Sequence, residues 1–285
     1  MPRLVVTLLS LLLIGAAQAA DIRIATFNTE SDDDTQPAKV AETIGKLPNV
    51  DIWALQEVEG EDALKLYLAA AKGTSPASWR SVISESGVNT DRQSDRLGIL
   101  YRTDTFRQLE TVEFHAIRSR SDGSTYGKPD WRLRAALLLR LIHIPSQQEF
   151  YVGTVHLKCC EEGDAQRTHQ AGLLAQWIRK QDVPVILLGD TNIPIEPGKT
   201  AAEVTFPAFR KLVDDGGLIW VEPSNPIKTQ CDDTFNSMLD QVYHTATLPV
   251  TSVTAEIQFP LPSYCKQDVL GFSDHRPIVA TFTFP

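Results

Sequence analysis

Residues 185–194 read VILLGDTNIP and follow Pro184. Four apolar residues bounded by that proline and by Gly189 have the length and punctuation of a buried strand. Asp190 and Asn192 stand immediately beyond it, so a carboxylate and an amide are placed where a core strand surfaces. On its own such a pair is an ordinary Asx turn. It constrains the fold because other apolar runs of this chain end on polar or ionisable residues in the same way.

From the amino end, IRIATFN alternates apolar and polar residues as a strand does and delivers Asn28 at its end. Asp32, Asp33 and Asp34 follow, and this run reads as solvated carboxylates rather than a calcium site. Val40, Ile44 and Leu47 mark a short amphipathic helix stopped by Pro48. The apolar run 52–55 then ends in Gln56 and Glu57, and residues 62–71 read as the next helix. Alone, Glu57 would pass for a surface carboxylate or a helix cap. Strands are expected over 79–84, 97–101 and 135–142, joined by polar loops around Gly87 and Gly123, the third introduced by Trp131-Arg132-Leu133-Arg134. FYVGTVHLK places His156 at the end of a further strand, and residues 166–180 carry Leu173, Leu174, Trp177 and Ile178 at helical spacing. NSMLDQVYH sets Asp240 inside a short strand, and Asp274 and His275 precede Pro277 and a final strand over 278–282.

A chain of 285 residues with 42% hydrophobic and 8% aromatic content can fill a sizeable α/β core, and no repeat or linker divides it. Arg3, the apolar run 4–14 and Ala17-Gln18-Ala19 have the form of a signal peptide over 1–19, leaving one domain over 20–285, periplasmic or secreted. The apolar run is shorter than the roughly 20 residues a membrane span needs, so no membrane anchor is expected. Export would permit disulfides among Cys159, Cys160, Cys231 and Cys265. Bridging neighbours strains the backbone, so two bridges from the Cys159–Cys160 pair to Cys231 and Cys265 are expected, in either order. A zinc site is disfavoured, since there is no CxxC and no His at ligand spacing. The formal net charge of -9 argues against broad coating of nucleic acid or anionic lipid.

Strand-end residues converge when their strands lie side by side, because the loops at one sheet edge face one crevice. Asn28, Glu57, His156, Asp190, Asn192, Asp240, Asp274 and His275 would then share a cleft with too few cations for its carboxylates. A hard divalent cation, Mg²⁺ or Mn²⁺, is the natural occupant of such oxygen ligands. Arginines near Arg134 and further histidines would hold an anion opposite it, which describes a phosphodiester site. No GxSxG, P-loop or GxGxxG motif competes with that chemistry.

In this order FNTE, LQEV, HL, GDTN, LDQV and SDHRP span nearly the whole mature chain, and they resemble the motifs of the endonuclease/exonuclease/phosphatase superfamily. The resemblance implies a four-layer α/β (α+β) sandwich, two mixed β-sheets packed face to face and flanked by helices. It also implies Mg²⁺-dependent hydrolysis of a phosphate ester. Glu57 would be the principal metal ligand, assisted by Asn28 and Asp274. Asp190 would align the attacking water with help from Asn192, and His275, oriented by Asp240, would contact the scissile phosphate.

The motif pattern is most similar to secreted deoxyribonuclease I, with His156 matching its additional histidine. SDRLGILYR resembles the segment that supplies that histidine's carboxylate partner there, which would make Asp95 the partner of His156, and Arg134 matches a phosphate-contacting arginine. One departure is Glu59, where that enzyme carries a groove-entering arginine; a carboxylate there repels duplex DNA. The expected activity is that of an exported nuclease hydrolysing DNA or RNA with little sequence specificity, with no protein partner evident. The alternatives are a sphingomyelinase-like or small-molecule phosphoesterase, and a binding module that has lost catalysis.

Overall fold

Alternation along the first strand sets two faces, and the sandwich is built on that difference. The computed structural model describes residues 20–89, 94–122 and 133–285. The segment 1–19 expected to be a signal peptide, Gly123, Trp131 and Arg132 lie outside the described residues. In β1 (Ala20–Asn28), Ile22 and Ile24 join the core between the sheets, while Ala25 and Phe27 join a separate cluster under two helices. β2 (Ile52–Val58) repeats the pattern, with Ile52 and Ala54 inward and Trp53 and Leu55 outward. The helices covering that outer face are α1 (Pro37–Gly45) and α2 (Glu61–Thr74). Buried Val40 and Ile44 on the first, and Leu64, Tyr67 and Ala71 on the second, follow the three-to-four residue spacing of an apolar helix face.

The first sheet is completed by β3 (Trp79–Ile83), β4 (Arg96–Arg102), β11 (Ser252–Ile257) and β12 (Ile278–Phe284), in the order β11-β12-β1-β2-β4-β3. The second contains β5 (Phe106–Phe114), β6 (Ala136–His143), β7 (Gln148–His156), β8 (Val185–Ile195), β9 (Leu218–Trp220) and β10 (Met238–Thr245), in the order β5-β6-β7-β8-β10-β9. Each sheet holds one parallel pair near its middle, β1 with β2 and β7 with β8. Their carboxyl ends reach the same edge, which brings Asn28 beside Gln56 and His156 beside Asp190 in register. The crossover α3 (Asp164–Ile178) packs its buried Ala171, Leu174 and Ile178 on the second sheet. Short helices α4 (Pro207–Arg210) and α5 (Pro262–Cys265) bring the α-helices among the described residues to five. Two mixed six-stranded sheets flanked by helices form the expected sandwich. Among the described residues no helix is long and apolar enough to cross a membrane.

The structure departs from the sequence reading in three places. β5, β9 and β11 lie in segments that gave no strand signal. All are edge strands, where one side needs no strand partner and polar residues such as Arg107 and Glu110 are tolerated. β8 does not end at Gly189 but continues to Ile195, so Asp190 and Asn192 lie within a strand. Gly189 makes that continuation possible: at φ +143 its backbone passes so close to β7 that a Cβ would stand 2.0 Å from the Val155 carbonyl oxygen.

The expected cysteine pairing is also corrected. Cys231 is bridged to Cys265, with Cα atoms 5.0 Å apart, while Cys159 and Cys160 are free thiols. The Cys231 N–H donates to the Asp274 carbonyl at 2.6 Å, holding it beside the segment that follows α5. The Cys159–Cys160 loop is instead pinned to α3 through Arg167. Any side chain at position 189 must displace the β7 backbone. Gly189→Ala is therefore expected to lower the unfolding free energy by roughly 2–4 kcal/mol in urea titration. A midpoint equal to that of the parent would contradict the close passage.

Candidate active site at the shared strand edge

Strand alternation by itself would send Glu57 outward with Trp53 and Leu55. A register shift between Leu55 and Val58 in the β2–β4 pairing, and φ +53 at Glu57, turn this side chain into the cleft instead. There its Oε1 accepts a hydrogen bond from Asn28 Nδ2 at 2.8 Å. The same amide nitrogen donates to Asp190 Oδ2, on the opposing sheet, at 3.0 Å. Asn28 Oδ1 accepts the Glu30 N–H at 3.0 Å, which fixes the amide's orientation. The pair predicted as metal ligands, Asn28 and Glu57, are thus in direct contact.

Asp190 lies at the centre of the arrangement and is 2% exposed. Its Oδ1 accepts the Asn192 N–H at 2.9 Å, while Asn192 Nδ2 donates to the Leu157 carbonyl at 3.1 Å. His156 Nε2 stands 3.6 Å from Asp190 Oδ2 and 3.8 Å from Glu57 Oε1. Ligand atoms of Glu57, His156 and Asp190 all lie within 4.8 Å of one another, a spacing that can hold one metal ion. Asp274, the third residue expected to bind metal, lies on the His275 side, with Oδ1 3.7 Å from His275 Nε2 and Oδ2 accepting from the Gln230 amide.

Two histidines face this acidic centre, each backed by a carboxylate. His275 Nδ1 lies 2.7 Å from Asp240 Oδ2, and its Nε2 is 3.9 Å from Asp190 Oδ2. Burial disfavours the charged ring, but Asp240, Asp274 and Asp190 outweigh burial and hold the imidazole well above its usual range. His156 Nδ1 is 3.4 Å from Asp95 Oδ1, and Asp95 Oδ2 pairs with Arg134 Nη1 at 2.7 Å. Burial would raise the Asp95 carboxyl, yet Arg134 and then His156 keep it below the ordinary carboxylate range. Arg134 is 4% exposed, so its clearest contact is with Asp95 behind His156.

The structure also adds residues that the sequence did not single out. Glu30 Oε2 accepts the Asp274 N–H at 2.7 Å. Burial pushes its carboxyl up to about 8, with repulsion from Asp274 adding to this and that N–H opposing it. Burial likewise moves Asp274 up to about 6, despite His275 and with repulsion from Glu57. Ser273 Oγ donates to the Asn28 carbonyl at 2.7 Å and accepts the His275 N–H at 3.0 Å. Beneath the cleft, fully buried Gln56 donates to Thr154 Oγ1 at 2.7 Å and so ties the sheets together. Glu30 is the last letter of FNTE, but nothing in the sequence separates it from Asp32, Asp33 and Asp34, all exposed.

Comparison with known proteins bears on the family and the fold. The family described as Endonuclease/Exonuclease/phosphatase family matches residues 25–275. No curated protein matches the chain significantly in sequence. Among solved structures, the human Nocturnin catalytic domain with bound sulfate is similar at TM-score 0.66 and 16% identity, covering 93% of this chain and 95% of that one. TDP2 of D. rerio, complexed with a single-strand DNA product, gives 0.63 and 19%, covering 92% and 99%. A mannosyl-6-phosphatase of Bacteroides thetaiotaomicron gives 0.64 and 17%, covering 92% and 100%. At these identities the likeness is one of fold, and it does not single out deoxyribonuclease I.

Raised carboxyl groups give the metal-free protein a defined pH response. Between their ordinary values and about 8 for Glu30 or about 6 for Asp274, the folded state binds more protons than the unfolded one. Stability in EDTA should therefore fall as pH rises from about 5 to about 8, and a saturating divalent cation should restore more of it at the upper end. Thermal melts across that range test this; a cation effect independent of pH would contradict it.

Proposed function

We propose that this chain, which belongs to the endonuclease/exonuclease/phosphatase family, is a divalent-metal nuclease that hydrolyses nucleic-acid phosphodiesters with little sequence preference. The observation that carries the reading is the Glu57–His156–Asp190 cluster, whose ligand atoms lie within 4.8 Å, facing the Asp240-backed His275. The donor set fits a hard cation, because carboxylate oxygens of Glu57 and Asp190 converge there with half-buried Asp274 and Glu30 close by. Glu57 would hold Mg²⁺ or Mn²⁺, with Asn28 and Asp274 assisting and His156 and Asp190 within reach. Such an ion polarises a phosphoryl oxygen and offsets the charge of the phosphate.

The protein's own groups divide the remaining work. Asp190, oriented by the Asn28 amide and the Asn192 N–H, aligns a water and accepts its proton. His275 stays charged because Asp240 holds Nδ1, so Nε2 donates to a non-bridging phosphate oxygen. His156, steadied by Asp95 and Arg134, faces the departing oxygen and supplies its proton. Arg134 acts through Asp95 in this arrangement.

Single-stranded substrate is favoured over duplex. The likeness to a TDP2 that holds a single-strand DNA product supports this, as does half-buried Glu59, whose carboxylate would repel a groove. A second reading, a lipid or small-molecule phosphoesterase, draws on exposed Leu261, Val269 and Leu270 in the segment leading to Asp274. We also propose export, which the Arg3, 4–14 and Ala17-Gln18-Ala19 pattern supports.

Asp190→Asn should lower kcat by roughly 10²–10⁴-fold with the fold retained by circular dichroism. Glu57→Gln should remove metal-dependent hydrolysis, and full activity in that variant would refute the site. Plasmid, single-stranded DNA and RNA cleavage at low salt, with Mg²⁺ and EDTA arms, should give metal-dependent products. Sphingomyelin or sugar-phosphate turnover without nucleic-acid cleavage would reverse the substrate assignment.

A further inference from the structure

Adjacent cysteines seldom bring their sulfurs together, because successive side chains of an extended chain point to opposite sides. After β7 the backbone is turned at Cys160 to φ 72 and ψ 165, a region that side-chain-bearing residues sparsely occupy. Cys159 and Cys160 Sγ consequently lie 2.7 Å apart, already approaching the roughly 2.05 Å of an S–S bond. The loop is held in this shape. Buried Arg167 donates to the Lys158 carbonyl at 2.8 Å and the Cys160 carbonyl at 3.2 Å, and the Lys158 N–H donates to Gln170 at 2.8 Å.

Cys160 is exposed and Cys159 half-buried. They line a cleft of about 740 Å³ together with Asn192, Pro194, Phe206 and Phe235. The charge pattern distinguishes the two thiols. Lys158 Nζ donates to Cys159 Sγ at 3.3 Å. Cys160 donates its S–H to Cys159, which with burial pushes the Cys160 thiol up to about 11.

We propose that Cys159 and Cys160 are a redox modification site, closing reversibly to a vicinal disulfide in the cleft wall by exchange with a small disulfide of the glutathione class. Cys159 thiolate attacks one sulfur of the oxidant, whose S–S bond breaks. The departing sulfur takes up the proton that Cys159 released. Cys160 then loses its proton, attacks Cys159 Sγ in the mixed disulfide and expels the second thiolate, which is protonated in turn. Two protein thiols are oxidised by two electrons, and one disulfide is reduced to two thiols. Closure between neighbours distorts the peptide that joins them, and strained bridges are the more easily reduced.

The test is a glutathione redox titration of the full chain, quenched in acid, alkylated, digested without reduction and read by mass spectrometry. The expected product is a peptide in which Cys159 and Cys160 resist alkylation and together lack two hydrogens, forming where Cys231–Cys265 stays bridged. Cys160→Ser should accumulate one glutathione on Cys159, and Cys159→Ser several-fold less on Cys160, with thermal melts establishing that both variants fold. Two alkylatable thiols in excess oxidised glutathione would overturn the proposal, as would pairing with Cys231, Cys265 or a second chain. Equal closure in the urea-unfolded chain would show that the folded loop contributes nothing and would overturn it too. These readouts do not depend on hydrolytic activity, so they stand or fall separately from the proposed function.

Discussion

A single side-chain amide joins the two sheets where they matter most. Asn28 Nδ2 donates to Glu57 on one sheet and to Asp190 on the other, so it holds two carboxylates close that would otherwise repel. The amide is itself held from behind. Its Oδ1 accepts from Glu30 N–H, and the Asn28 carbonyl accepts from Ser273, one residue before Asp274. Charge-assisted hydrogen bonds of this kind are stronger than neutral ones, and they orient Asp190 before any ligand arrives. What they do not supply is positive charge, and burial first, then neighbouring carboxylates, keeps the Glu30 and Asp274 carboxyls raised.

Around this centre the protein places its cationic and neutral donors at fixed distances. His275 and His156 approach Asp190 from two sides, and each has its outer nitrogen turned to a buried carboxylate. The two backings differ. Asp240 contacts its histidine directly, whereas Asp95 is shared between His156 and Arg134.

Substrate choice resides in the rim, because the sandwich positions the chemistry without specifying the molecule around the phosphate. Phe235 and Phe206 line the cleft beside Asn192, and Leu261, Val269 and Leu270 are exposed on the segment before Asp274. These loops join strands whose ends are fixed by the core, so they can vary with little cost to the scaffold. The Cys159–Cys160 pair belongs to this rim and follows His156 by three and four residues.

The six motifs, the alternation of β1 and the helical spacing of Val40 and Ile44 or Leu174 and Ile178 were legible in the chain itself, because burial imposes a period on apolar residues. So were the residues of the cleft, as polar types at the ends of apolar runs. Their directions were not. Glu57 reaches the cleft only through a bulge, Asp190 lies inside a strand that Gly189 lets past Val155, and Arg134 turns behind His156 to meet Asp95. Edge strands β5 and β11 escaped because an edge need not be apolar, and β9 because its three residues are too few to show a period. The cysteine pairing depended on which loops meet, and Glu30 became part of the site only when β12 brought Asp274 to it. Periodicity and residue type are local properties that the sequence determines by itself; register, bulges and contacts between distant loops depend on packing the two sheets, and only the tertiary structure decided them.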